Sequence, residues 1–213
     1  MDSAQHWGHI YATKRSSEVS WYQSDPDTSI SLIQRVAPDA HSVIADVGGG
    51  ASTLVDGLLN AGYRNLTVLD ISEVALAESR RRLGERASQV VWVHGDALQA
   101  HLPSDGIDLW CDRALFHFFT NANDRSAYAG QVRRALRTGG HLLVATFAED
   151  GPRRCSGLDV ARYSASTLRS EFGEDFELVR DEHEDHITPA GVHQAFLYCL
   201  FRYTHRPSGE PVR

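Results

Sequence analysis

From Ser42 onward, short β-branched or apolar runs alternate with stretches whose apolar residues recur every three or four positions. The first kind of run is a strand and the second an amphipathic helix, and their alternation predicts a mostly parallel sheet with helices on both faces. The strands fall at Ser42–Val47, Leu66–Asp70, Val90–His94, Ile107–Asp112 and His141–Thr146. Leu54, Leu58 and Ala61 share one helical face; Tyr128, Val132 and Leu136 share another. Ser72 can cap the helix after Asp70, and Asn123 can start the helix running through Arg137. Gly139 stands where a helix C-terminus favours a left-handed residue.

After Thr146 the alternation stops, and AEDGPRRCSGLDVARYS reads as an irregular stretch leading to a short helix near Ser166–Phe172 that Ser164 can cap. Two strands follow in succession. FELVRDEHEDHI and HQAFLYCLFRY, joined by TPAGV, have the lengths and turn chemistry of a hairpin, so the sheet should close on an antiparallel strand. The first 41 residues form a preamble rich in aromatics (Trp7, Tyr11, Trp21, Tyr22), with one helix expected at Ser29–Arg35. The expectation is an α/β, doubly wound, seven-stranded sheet in a single domain, residues 1–213. It divides into the preamble 1–41, a core 42–146, and an acceptor-side loop, helix and hairpin 147–213.

Composition narrows the partners. With 21 basic against 28 acidic side chains the net charge is −7, which gives no general attraction to a phosphate backbone, so nucleic acid is not expected. The three cysteines are widely spaced and lack a CxxC pair, pointing to neither a disulfide framework nor a cysteine zinc site. No apolar run approaches the roughly 18 residues that span a bilayer, and the N-terminus lacks the order of a secretion signal, so a cytoplasmic protein without a membrane partner is the expectation. Glu182 to Asp185 and His186 place several potential metal ligands together, but on a strand their side chains alternate between faces; a solvated hairpin is preferred and no metal is expected.

The sharpest chemical signal is Asp46-Val47-Gly48-Gly49-Gly50-Ala51, directly after a strand and before a helix. Consecutive glycines let backbone approach a ligand closely, and Asp70, at the end of the next strand, can accept hydrogen bonds from both hydroxyls of a ribose. These residues resemble the class I S-adenosylmethionine-dependent methyltransferases over nearly the whole chain. The first motif of that family is matched by Asp46 to Gly50 and its ribose acid by Asp70 with Ile71 beside it. Its adenine-side acid is matched by Asp96 with Ala97. Its fourth-strand end is matched by Cys111 to His117, its glycine pair by Gly139 and Gly140, and its antiparallel seventh strand by the closing hairpin. Ala51-Ser52 stands where many members carry a further glycine.

Trp7, Tyr11 and Trp21, with Asp112 to Phe118 and Cys155 to Leu158, resemble a subgroup that includes citrate synthase lysine methyltransferase and bacterial relatives; small-molecule thiol methyltransferases share the overall plan. The resemblance implies S-adenosylmethionine as cofactor. An NAD-dependent dehydrogenase also wants a glycine turn and a later acid, but Asp46 would repel a pyrophosphate and favour a sulfonium cofactor carrying an ammonium group. A module that binds the cofactor without catalysis is the rival of another class.

Methyl transfer from a sulfonium needs alignment and exclusion of water more than acid–base machinery. Asp112, Arg113 and His117 are the candidate catalytic groups, His117 as a base for a thiol or amine or else as a buried structural histidine, and Arg113 as a reactant or a structural partner. Phe116 and Tyr163 should line the acceptor, and Arg153 and Arg162 could hold an acidic acceptor. Tyr11 and Trp21 should cover the cofactor as parts of a lid formed by residues 1–28. The acceptor expected is a small soluble molecule, such as a thiol, with a protein lysine as the alternative.

Overall fold

The computed structural model describes residues 3–204; residues 1–2 and 205–213, the ends of the expected domain and of the expected lid, lie outside the described residues. The strands are β1 Val43–Val47, β2 Asn65–Asp70, β3 Val90–His94, β4 Ile107–Arg113, β5 Leu136–Phe147, the two-residue β6 Arg154–Cys155 and β7 Leu158–Asp159, then β8 Phe176–Ile187 and β9 His193–Tyr203. The helices are α1 Ser3–Thr13, α2 Asp27–Val36, α3 Leu54–Asn60, α4 Glu73–Leu83, α5 Ala122–Ala135 and α6 Ala165–Phe172.

Seven strands form one sheet in the order β3-β2-β1-β4-β5-β9-β8. Neighbours from β3 through β5 pair in parallel, and β9 inserts antiparallel to both β5 and β8. The chain reverses its filling order between β1 and β4, and at such a switch point the carboxyl ends of the strands leave a crevice. Apolar side chains bury both faces. Ala45, Trp110, Val144 and Phe201 pack under α5 and α6, while Ile44, Val68, Leu109 and Leu143 pack under α2, α3 and α4. This is why the central strands read as continuous apolar runs and not as alternating ones.

Ser72 caps α4 and Ser164 caps α6 as expected, and the hairpin occupies the expected residues. Three expectations need correction. Helix α5 starts after Asn121, whose side chain accepts from the Asp124 amide at 2.9 Å, so Asn123 is not the cap. The same helix stops at Ala135 because Leu136 is already extended (φ −70°, ψ 133°) and pairs with Ile107 of β4, so the left-handed Gly139 (φ 81°) falls inside β5 and not at the helix end. The preamble holds two helices, not one: α1 carries Trp7 and Tyr11 and lies against α4. Among the described residues no helix is long and apolar enough to cross a membrane.

Candidate active site

The glycine turn leaves β1 with Gly48 at φ 74° and Gly50 at φ 41°, both left-handed. A side chain at Gly48 would meet Leu115 at 2.8 Å, and one at Gly49 would collide with the Asp46 carboxylate. Glycine is therefore required by contact as well as by φ. Helix α4 holds the turn from beneath. Ser79 donates to the Gly50 carbonyl at 2.8 Å, and Arg82 donates to the carbonyls of Ala51 and Ser52 while pairing with Asp56. Nothing in the sequence pattern marked Arg82, because it looks like one more arginine in a surface helix.

A cleft opens above the ends of β1 to β4. Gly48, Asp70, Ile71, Asp96 and Ala97 line one side; Arg113, Ala114, Leu115, Phe118 and Phe119 line the other; Trp7, Tyr11 and Trp21 cover it. A narrower chamber continues past Tyr11, Trp21 and Arg113 to Asp46, Gly49 and Thr53. Trp7 meets Trp21 edge-on at 5.7 Å and Phe118 at 4.9 Å, and Tyr11 meets Trp21 at 6.2 Å, so the cover is a set of interlocking aromatic rings. The Tyr11 hydroxyl points at the glycine turn, 3.2 Å from where a Cβ on Gly50 would stand.

The cleft is acidic. Asp70 accepts from the Ser72 amide at 2.7 Å, yet burial pushes its carboxyl up to about 6. Burial, with Asp112 and Asp70 nearby, pushes Asp46 up to about 7, and its Oδ2 has no hydrogen-bond partner among the described residues. An orphaned carboxylate oxygen in the wall of a chamber is a place for a cationic or hydrogen-bond-donating ligand group. Asp96 spends one oxygen on the Leu98 amide at 2.9 Å. Arg113, the basic side chain in this lining, is tied through Nε and Nη1, while its Nη2 has no hydrogen-bond partner among the described residues. It donates to the Tyr198 hydroxyl at 2.8 Å and to the Trp21 carbonyl at 2.7 Å, faces Glu184 at 3.7 Å and stacks over Phe196.

Several expected site residues lie elsewhere. Asp112 is fully buried below the cleft, accepting from the Leu115 and Phe116 amides and from the Tyr128 hydroxyl, because side chains alternate along β4 and Arg113 takes the outward direction. It shapes the turn, where Ala114 adopts φ 65°, and does not reach the ligand space. His117 is likewise fully buried against Phe118 and Phe147, and its Nδ1 accepts from the Phe147 amide at 3.3 Å. Burial, aided by Arg113, drives its pKa down to about 3, so the base reading is corrected to the structural one.

Phe116 and Tyr163 stack on each other at 5.6 Å within the core and not on an acceptor. Arg162 binds the carbonyls of Glu149 and Gly151, and exposed Arg153 lies outside both cavities, so neither forms an acidic-acceptor clamp. Gly50 supports the turn without lining either cavity. The cleft is lined instead by Trp7, Phe118, Phe119 and Leu158. Among the described residues no three His, Cys, Asp or Glu side chains are grouped to hold a metal.

Comparison with known proteins sets this geometry in context. A family profile described as a methyltransferase domain matches residues 44–140, the stretch from β1 into β5. An eEF1A lysine and N-terminal methyltransferase of Danio rerio is 27% identical over 152 residues, covering 70% of this chain and 22% of that protein. The ubiquinone/menaquinone biosynthesis C-methyltransferase UbiE of Roseobacter denitrificans is 31% identical over 121 residues, covering 55% of this chain and 47% of that protein. The chain thus spans less than half the length of these curated relatives. The fold also matches N-methyltransferase NodS from Bradyrhizobium japonicum, solved in complex with S-adenosyl-L-homocysteine, with TM-score 0.73, 18% identity, and 96% and 100% of the two chains covered. A structure solved for conversion of a disulfide bond into a thioacetal group during echinomycin biosynthesis matches with TM-score 0.78, 18% identity, and 97% and 94% covered.

Proposed function

We propose that this chain, whose residues 44–140 match a methyltransferase domain, is a class I S-adenosylmethionine-dependent methyltransferase that transfers a methyl group to a small, soluble, largely apolar acceptor such as a thiol. The observation that carries the reading is the acidic cleft at the strand ends roofed by Trp7, Tyr11 and Trp21. S-adenosylmethionine, when bound, supplies a methyl group already activated on sulfur. The residues fit it: Asp70 and Ile71 offer a ribose contact, Asp96 and Ala97 an adenine edge, and Gly48, Gly49 and Asp46 a glycine-floored chamber with a carboxylate for an ammonium group. The same carboxylates disfavour a dinucleotide pyrophosphate.

The chain's own residues then have three tasks. The Trp7, Trp21 and Phe118 rings exclude water from the reacting centre, Gly48 and Leu115 hold the floor, and Arg113 fixes the roof segment. With His117 buried and barely basic, no histidine base is available from the expected set, so the acceptor must supply its own lone pair, as a thiolate or an unprotonated amine does. A roofed cleft suits a small molecule better than a protein lysine, which needs an open rim. Residues 1–41 in this reading serve as cover, 42–146 as the cofactor-binding core and 147–213 as the acceptor-side closure of one domain.

The test is mass spectrometry after incubation with S-adenosylmethionine and separate panels of thiols, small amines and lysine-bearing proteins. Methylated thiol or amine products support the proposal. Exclusive methylation of protein lysine would replace the acceptor reading, and no methylation in any panel would favour the non-catalytic module.

A further inference from the structure

The segment Ser20–Gln23, which carries Trp21 over the cleft, is not held mainly by its own helix neighbours. It is tied to the closing hairpin, more than 160 residues away in sequence. The Arg113 guanidinium donates to the Trp21 carbonyl at 2.7 Å and to the Tyr198 hydroxyl at 2.8 Å. Tyr198 in turn donates to Glu184 Oε1 at 3.3 Å, and Gln23 Nε2 donates to the same oxygen at 2.9 Å. The carboxylate also faces Arg113 Nη2 at 3.7 Å, with both side chains largely buried. On the same strand His186 Nε2 bonds the Ser20 carbonyl at 2.8 Å, and from the glycine turn Thr53 donates to the Gln23 carbonyl at 2.8 Å.

Glu184 is the hub of this arrangement. It lines neither cavity, yet one of its oxygens gathers the arginine, the tyrosine and the glutamine that hold the Trp21 backbone from both ends. A half-buried carboxylate oxygen with two hydrogen-bond donors and a guanidinium beside it is a shared anchor, and removing it leaves that guanidinium short of its counter-charge. We propose that Glu184 is a positioning residue for the cleft: through Arg113 and Gln23 it sets the Trp21 segment in place, so that the closing hairpin determines the shape of the roof. The positional claim stands on the contacts alone, while its value for methyl transfer rests on the function proposed above.

Hydrogen exchange of the unliganded protein tests it, with S-adenosylhomocysteine affinity as the second readout. In Glu184→Ala, amides 20–23 should exchange at least about tenfold faster while amides of β5 keep their wild-type protection, and the S-adenosylhomocysteine Kd should rise at least about fivefold, roughly 1 kcal/mol. Glu184→Gln keeps an oxygen for Gln23 and Tyr198 and should recover most of both effects. If Glu184→Ala fails to fold, Gln23→Leu, which removes one tie only, should still loosen amides 20–23. Unchanged exchange at 20–23 in a folded variant overturns the proposal. So does an equal loss of protection throughout β8 and β9, which would mean general destabilisation. Wild-type protein that ignores S-adenosylhomocysteine would count against the methyltransferase reading, and the exchange result would still decide the role of Glu184.

Discussion

Tyr11 and Asp70 converge on the backbone of Gly50: a Cβ there would lie 2.8 Å from the Asp70 carboxylate and 3.2 Å from the Tyr11 hydroxyl. The first helix and the end of the second strand thus meet at the glycine turn, and the carboxylate assigned to a ribose lies beside the cover. Hydrogen bonds to a charged acceptor are worth about 1.5–3 kcal/mol each. Asp70→Ala should therefore weaken S-adenosylhomocysteine binding at least about tenfold by calorimetric titration, with the fold retained by circular dichroism. An unchanged Kd in the folded variant would place the ribose elsewhere.

Asp46 should trade stability against binding in a pH-dependent way. Its carboxyl keeps a proton up to about 7 in the fold but only to 3.8 ordinarily. Between those values the folded state binds more protons than the unfolded chain, so rising pH costs the wild type stability, and the loss levels off above about 7. Asp46→Asn has no such proton to lose. Its melting temperature should exceed that of wild type by a margin that widens from about pH 5 to about pH 8, while its affinity for S-adenosylhomocysteine falls. A margin that stays flat or narrows would contradict the buried, unpartnered state of Asp46.

His117 has the opposite sign. Its pKa falls from 6.5 to about 3 in the fold, so on acidification across that window the unfolded chain takes up a proton that the folded ring refuses, and stability is lost. Gln in its place can still accept from the Phe147 amide but cannot titrate. His117→Gln should lose melting temperature less steeply than wild type from about pH 7 to about pH 4, and should retain methyl transfer. Abolished turnover in a folded variant would restore His117 to the chemistry.

The aromatic cover should tighten on binding. Its rings touch edge-to-face, and α1 buries no residue fully, so it is held by few contacts of its own. Amides between Trp7 and Tyr22 should gain hydrogen-exchange protection when S-adenosylhomocysteine is added. No gain would mean a fixed flank and not a lid.

The sequence made the sheet readable because β1, β2 and β4 are largely buried on both faces and bounded by turn residues, and because TPAGV marks the turn between the two hairpin strands. Helix α1 was missed although Ala4, Trp7 and Tyr11 recur at helical spacing, because these aromatics face a cleft and the helix buries no residue in a core. The glycine turn with Asp46 and Asp70 was legible from spacing along strand ends. Asp112 was misplaced because alternation along β4 turns it inward while Arg113 faces the cleft, and His117 because the left-handed turn at Ala114, which carries no glycine to announce it, sets the path beyond the strand. Arg153 and Arg162 depended on the path of an irregular loop, in which Arg162 turns to the carbonyls of Glu149 and Gly151 and Arg153 stays exposed.

Calorimetric titration of the folded protein with S-adenosylhomocysteine and, separately, with NAD tests the central claim most directly, because the acidic chamber around Asp46 discriminates between them. The account predicts saturable one-site binding of S-adenosylhomocysteine and none of NAD. Tighter binding of NAD, or no binding of S-adenosylhomocysteine, would contradict it.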